Sequence, residues 1–390
     1  MNIVVAYLYN QNGMGSWCIE ASKAMTQNGH NVVLIKNNEI ILPNNFIIPS
    51  IDFDFWPSTQ NLAFINKVFL ALKKYIIILP LFKKNNIQLN ELNKHIETHF
   101  FKPDIYLLNQ SNLINTDVLI PQFVVAWAYK PTLSDYLRRA IIMGKINNTH
   151  FVELVRALTW HASDVYAYKN AASVLCVTEK LKTEISKITP NAFVVHPSYM
   201  QEISTVLEEV KHNHKEIKLC IMSLYLNDLR KGVYWMLKAI SLLKNKHQFA
   251  ITLIGYADNK FIDHLNSLGL KISFTGFLNR EAAINILQQQ HVLLFGSVID
   301  DWGFVQVEAM ANGLMVIAPN EHPCDEIVLR EDFLYKKNDP IDFSQKIEKL
   351  QYLNFPEISK WFIDHYQKKF SPEAFAKSID FVQKNCIKRF

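Results

Sequence analysis

Short apolar runs alternate along the chain with stretches whose apolar residues recur every three or four positions. An apolar run of about four to eight residues reads as a strand buried on both faces, and a three-to-four spacing reads as a helix covering a sheet. The alternation therefore predicts βα units on mostly parallel sheets. In the first half, strands are predicted over 2–8, 31–35, 105–109, 123–128, 172–177 and 192–196. In the second half they are predicted over 217–225, 249–255, 271–276, 291–296 and 314–319. The first unit reads as strand NIVVAYLY, loop NQNGMG and helix SWCIEASKAMTQN, with Ser16 as cap and Gly29 as a left-handed stop.

Between 197 and 216 the chain turns polar and charged, and a fresh apolar strand follows. A chain of 390 residues exceeds the size at which one core keeps growing. Two doubly wound domains are expected, 1–200 and 201–370, followed by a terminal helix over 371–390 with Ser371 as cap and Pro372 in its first turn. No internal repeat or low-complexity tract interrupts them.

Composition narrows the class. Apolar residues make up 49% of the chain, enough for two cores. Lys and Arg exceed Asp and Glu by 41 to 36, a net +5 with the basic groups scattered. That balance suits an anionic ligand or membrane surface and gives no reason to expect a nucleic-acid partner. The five cysteines, 18, 176, 220, 324 and 386, show no CxxC spacing, so neither a disulfide framework nor a zinc site is expected and a reducing cytoplasm fits. The start MNIVVAYLYN has no basic region or cleavage site and reads as a strand. The run YIIILPLF at 75–82 is far short of the roughly 20 residues a spanning helix needs.

In open α/β sheets, ligands lie beyond the carboxyl ends of strands, where helix N-termini point. There the sequence DDWGFVQVEAMANG places Asp300 and Asp301 in a loop, Gly303 where backbone must approach closely, and a helix from Phe304 to Asn312 ending at Gly313. Glu308 falls about one turn inside that helix. Free N–H groups at its start would hold a phosphate, and the carboxylates would accept bonds from sugar hydroxyls. The residues leave a second reading open, in which an Asp caps the helix and Glu308 faces solvent. Arg230 and Lys231 stand at the start of another helix, VYWMLKAISLLKN, where the macrodipole disfavours cations by about 0.3 to 1 kcal/mol each unless an anion sits there. The plainer alternative is a cap by Asp228 with both basic chains in water.

Together these stretches resemble the retaining GT-B glycosyltransferases of glycosyltransferase family 4. The Glu-x7-Glu motif of that family is matched by Asp300 to Glu308, with Trp302 and Gly303 inside it and AMANGLMVIA after it. Its Lys-Gly is matched by Lys231 and Gly232, its TGF by Thr275, Gly276 and Phe277, and its first Gly-rich loop, loosely, by Gly13, Met14 and Gly15. The resemblance is close over the second half and only an outline over the first. It implies two Rossmann-like domains facing a central cleft, with the C-terminal helix crossing back to the N-domain. It also implies that Glu308 binds the donor ribose, Asp300 the transferred sugar, Lys231 and Arg230 the diphosphate, backbone at Phe304 and Val305 the far phosphate, and Phe277 the base. The donor would be a UDP- or GDP-linked sugar and the acceptor a glycan or lipid-linked molecule of bacterial surface polysaccharide synthesis, with no metal and no cofactor.

Departures from the family pattern are equally legible. Its first acid is here Asp; its Arg after the first C-domain strand has no counterpart in IMSLYLND, unless Arg230 serves. NEHPC stands where Gly-Gly precedes the later Glu, and VVAWAYKP carries no His-Asp pair. These leave open a non-catalytic nucleotide-sugar-binding or scaffold subunit, or another GT-B enzyme such as an epimerase; a phosphorylase would need a cofactor lysine or a second phosphate site. Asp52 and Asp54 form an Asp-x-Asp whose plain reading is surface acids. Residues 64–84 combine apolar faces with paired lysines and read either as a peripheral membrane contact or as a helix under the sheet. Trp127, Tyr129 and Lys130 are acceptor-side candidates; His161 and His196 read as core or loop histidines, His196 nearer the ligand end of its strand.

Overall fold

The computed structural model describes residues 2–7, 18–19, 22–23, 25–36, 39–41, 47–48, 105–108, 118–119, 168–169, 171, 173–199, 216–297, 300 and 302–386. The chain divides into two compact units, the first made of 1–130, 147–200 and 372–390, the second of 131–146 and 201–371.

The first unit carries β1 (Asn2–Tyr7), β2 (Asn31–Lys36), β3 (Glu39–Ile41), β4 (Ile47–Ile48), β5 (Ile105–Leu108), β6 (Val118–Leu119), β7 (Ser173–Cys176) and β8 (Ala192–Val194). They form one sheet in the order β4-β3-β2-β1-β5-β6-β7-β8. β1 is central: Ile3 pairs in parallel with Val32 on one side and Ile105 on the other. Its residues Ile3, Val4 and Val5 are fully buried, as a strand covered on both faces requires. Gly29, at φ 83°, ends the helical turn before β2 and lets His30 N–H reach the Met25 carbonyl. β3 and β4 add in antiparallel fashion at one edge, which the periodicity did not predict because strands this short carry no period. After β7, Thr178 caps α1 (Glu179–Ile185) by accepting from Leu181 N–H. The predicted strand 123–128 and the cap Ser16 lie outside the described residues.

The second unit alternates strictly. β9 (Ile217–Tyr225) leads to α2 (Val233–Ser241), β10 (Phe249–Tyr256) to α3 (Asn259–Asn266), and β11 (Lys271–Gly276) to α4 (Arg280–Leu287). Then β12 (Val292–Leu294) leads to α5 (Phe304–Ala311), β13 (Met315–Pro319) to α6 (Cys324–Val328), and β14 (Leu334–Tyr335) to α7 (Pro340–Lys349) and α8 (Phe355–Lys369). The strands lie in the order β11-β10-β9-β12-β13-β14, all pairs parallel. This order reverses between β9 and β12, and such a reversal opens a crevice at the strand C-termini. The sheet centre is dry: Leu219, Cys220, Leu253, Leu293 and Val316 are fully buried. Burial also drives the Cys220 thiol far above its ordinary range, so it is a small apolar side chain here.

Helix starts differ in a way that bears on function. Asp258, Asn279 and Asp339 cap α3, α4 and α7 with their side chains. α2 and α5, which leave the two strands flanking the reversal, begin instead at left-handed Gly232 and Gly303 with no side-chain cap. The terminal helix α9 (Pro372–Cys386) starts at the predicted proline and belongs to the first unit. No described helix is long and apolar enough to cross a membrane.

Candidate functional site

The loops after β9 and β12 meet because two glycines let them. A β-carbon on Gly232 would lie 2.4 Å from Trp235 Nε1 and 2.6 Å from the Gly296 carbonyl oxygen. One on Gly296 would lie 2.9 Å from the Lys231 carbonyl oxygen and 2.7 Å from Met236 Cε. No larger residue fits either place without moving backbone. The close approach brings Lys231 Nζ to 2.7 Å from Asp300 Oδ2, an ion pair whose side chains are 29% and 25% exposed.

One residue back, Arg230 is fixed differently. Asp228 accepts its backbone N–H at 2.9 Å and its guanidinium at 2.7 Å through Nη2, with Nε at 3.1 Å. Burial opposes charge on Asp228, but the hydrogen bonds and charge of Arg230, with a smaller contribution from Lys231, outweigh it and hold the carboxyl below its ordinary range. Arg230 is thus a braced cation on the rim of the turn. Asp228 accepts a backbone N–H of the turn, as the plainer alternative has it, and each basic chain is partly solvated and paired with a carboxylate.

At the other side, Gly303 adopts φ 78°, and a β-carbon there would lie 2.4 Å from Gln306 Nε2. The first-turn N–H groups of α5, those of Phe304 and Val305, have no acceptor within the helix, and no acid lies in that turn. An anion placed there meets oriented donors and the positive end of the helix. Phe304 and Glu308 stand four residues apart, hence on one face, and both are half-buried while Gln306, Val307 and Ala309 are buried. Trp302, 1% exposed, packs edge-on against Phe370 at 5.5 Å, so the motif's aromatic anchors the loop rather than facing a ligand.

Beyond β9, on the side away from β12, three exposed rings line up. Phe277 stacks on Tyr256 at 5.0 Å with planes 6° apart, and Tyr256 on Tyr225 at 6.1 Å and 28°. They are 54%, 50% and 56% exposed. Tyr225 and Tyr256 are the last residues of β9 and β10, and Phe277 follows the last residue of β11. Sequence reasoning found Phe277 and missed both tyrosines; their shared place at successive strand ends was the available signal.

The structure therefore joins Lys231 to Asp300, places Gly303, Phe304, Val305 and Glu308 along α5, and sets Phe277 at the end of a ring stack. In the NEHPC loop, His322 Nδ1 lies 3.4 Å from Glu326 Oε1. His196 Nδ1 lies 3.0 Å from the Val177 carbonyl oxygen, within the first unit. Gly13 and Gly15 lie outside the described residues, as do Asp52, Asp54, 64–84, Trp127, Tyr129, Lys130, His161 and Asp301.

Comparison with known proteins bears on the fold. Residues 207–354 match the family described as Glycosyl transferases group 1. An uncharacterized glycosyltransferase of Methanocaldococcus jannaschii is 26% identical over 200 residues, 46% of this chain and 50% of that relative; the match thus spans half the relative's length. Sucrose-phosphate synthase from Thermosynechococcus elongatus superposes with a TM-score of 0.68 at 13% identity, over 98% of each chain. WaaG, a glycosyltransferase involved in lipopolysaccharide biosynthesis, superposes with a TM-score of 0.62 at 13% identity, over 98% of this chain and 99% of its own. The fold is GT-B.

Proposed function

From a GT-B fold whose second unit carries a glycosyl transferases group 1 match, we propose that this chain is a retaining glycosyltransferase using a UDP- or GDP-linked sugar. The observation that carries the reading is the Lys231–Asp300 pair at 2.7 Å, set where the strand order reverses and next to a helix start with no capping side chain. A cation and oriented N–H groups there match a diphosphate, and a carboxylate beside them matches a sugar joined to it. Glu308 holds the ribose, Asp300 the transferred sugar, and the ring stack ending in Phe277 the base.

In this reading catalysis is electrostatic and positional. The bond from the anomeric carbon to the diphosphate breaks, with the charge left on oxygen stabilised by Lys231 and the α5 N–H groups. The acceptor hydroxyl attacks from the same face, and its proton passes to the departing phosphate oxygen. No protein nucleophile or metal takes part. The acceptor is a glycan or lipid-linked molecule of bacterial surface polysaccharide synthesis, a role in keeping with that of the fold neighbour WaaG. The work is cytoplasmic, with 64–84 and its paired lysines as a peripheral contact with the inner face of the plasma membrane.

The test is release of free sugar and nucleotide diphosphate from a panel of UDP- and GDP-sugars without acceptor. Slow release from one donor is expected. Binding of nucleotide diphosphates with no turnover of any donor, with or without acceptor glycans, would instead mark a non-catalytic binding subunit.

A further inference from the structure

The two cations of this site are held by their carboxylates in unlike ways. Asp228 grips Arg230 through both side-chain oxygens and through the backbone N–H of the same turn, two residues away. Asp300 holds Lys231 through one bond, from a loop 69 residues further along the chain. The first is a brace built into the turn. The second is a single contact between two partly solvated side chains, the kind whose net strength is small and whose partner can be exchanged.

We propose that Asp300 is an exchangeable counter-ion of Lys231 that favours the sugar-bearing donor over the nucleotide diphosphate left after transfer. The inference rests on the donor-site reading above. A diphosphate arriving at Lys231 competes with the carboxylate already 2.7 Å from the ammonium, since two anions crowded on one cation repel. The carboxylate must swing away and loses a charge-assisted bond. When the diphosphate carries a sugar, hydroxyl donors replace that bond. When it does not, nothing does, and Asp300 competes to recapture Lys231. The same residue thus spares the sugar-bearing donor and disfavours the diphosphate left after transfer, which is specificity through a built-in unfavourable contact.

Calorimetric titration with UDP, GDP, UDP-glucose and GDP-mannose tests this in wild type and Asp300→Asn. Asp300→Asn is expected to bind the preferred free diphosphate about fivefold tighter, with no gain for its sugar conjugate. General damage to the site would weaken both, so unchanged or weaker diphosphate binding overturns the proposal. The wild type supplies an independent check: its sugar conjugate must bind more tightly than the bare diphosphate, and the reverse order overturns the proposal even if the variant does not fold. Asp300→Glu keeps the charge and should keep the wild-type order. Wild type that binds none of the four ligands would refute the donor-site reading itself, and this inference with it.

Discussion

Gly232 and Gly296 come so close that a single methyl group on the first would lie 2.6 Å from the carbonyl oxygen of the second. This contact, not the charges, sets how near the β9 and β12 loops can approach. Gly232 also holds φ 68°, which side-chain-bearing residues rarely adopt. Gly232→Ala is therefore expected to lower stability by about 1 to 3 kcal/mol in urea unfolding and to weaken nucleotide binding. A variant with unchanged stability and binding would mean the loops tolerate separation.

Much of this architecture was legible. β9 and β11 run over the predicted 217–225 and 271–276; β9 is mostly apolar, whereas β11, KISFTG, alternates polar and apolar residues at the sheet edge. α5 begins at the predicted Phe304, since Gly303 and the acids before it mark a helix start. The ion pair was not legible as a pair. Lys231 and Asp300 are separated by 69 residues, and only the reversal of strand order makes their loops neighbours. β14 has two residues, too few for a period. Tyr225 read as the end of a buried strand and Tyr256 fell just past the predicted 249–255, whereas β9 ends in exposed Leu224 and Tyr225 and β10 in exposed Tyr256.

Asp228 links the site to acid stability. Its folded-state carboxyl lies below the ordinary range, despite burial, because Arg230 binds the charged form. A depressed carboxyl stabilises the fold at pH above its unfolded value, about 3.9, and that contribution is lost as pH falls through the folded value. Asp228→Asn should cost about 1 kcal/mol at pH 7, and its unfolding curve should converge with wild type in acid. A gap that persists below both values would show that charge is not its source.

Glu308 should report on the nucleoside and not on the phosphates. Exchanging its carboxylate for an amide in Glu308→Gln removes a charged acceptor, at a cost of about 1.5 to 3 kcal/mol. Affinity for UDP or GDP should fall accordingly, while affinity for inorganic pyrophosphate stays. Equal losses for both ligands would place Glu308 at the phosphates instead.

Tyr256 is the middle ring of the stack. Tyr256→Ala removes the support beneath Phe277 and should weaken nucleoside diphosphate binding by about 1 to 3 kcal/mol, with Tyr256→Phe restoring it. Loss of binding in the Phe variant as well would shift the role from the ring to its hydroxyl.

The claim on which the rest stands is that Lys231 receives a diphosphate. Calorimetric titration of UDP and GDP into wild type and Lys231→Met measures this without needing the acceptor or the sugar. Binding of one nucleotide by wild type and a loss of about tenfold to a hundredfold in the variant is the predicted result. Equal affinity in the two proteins would contradict it.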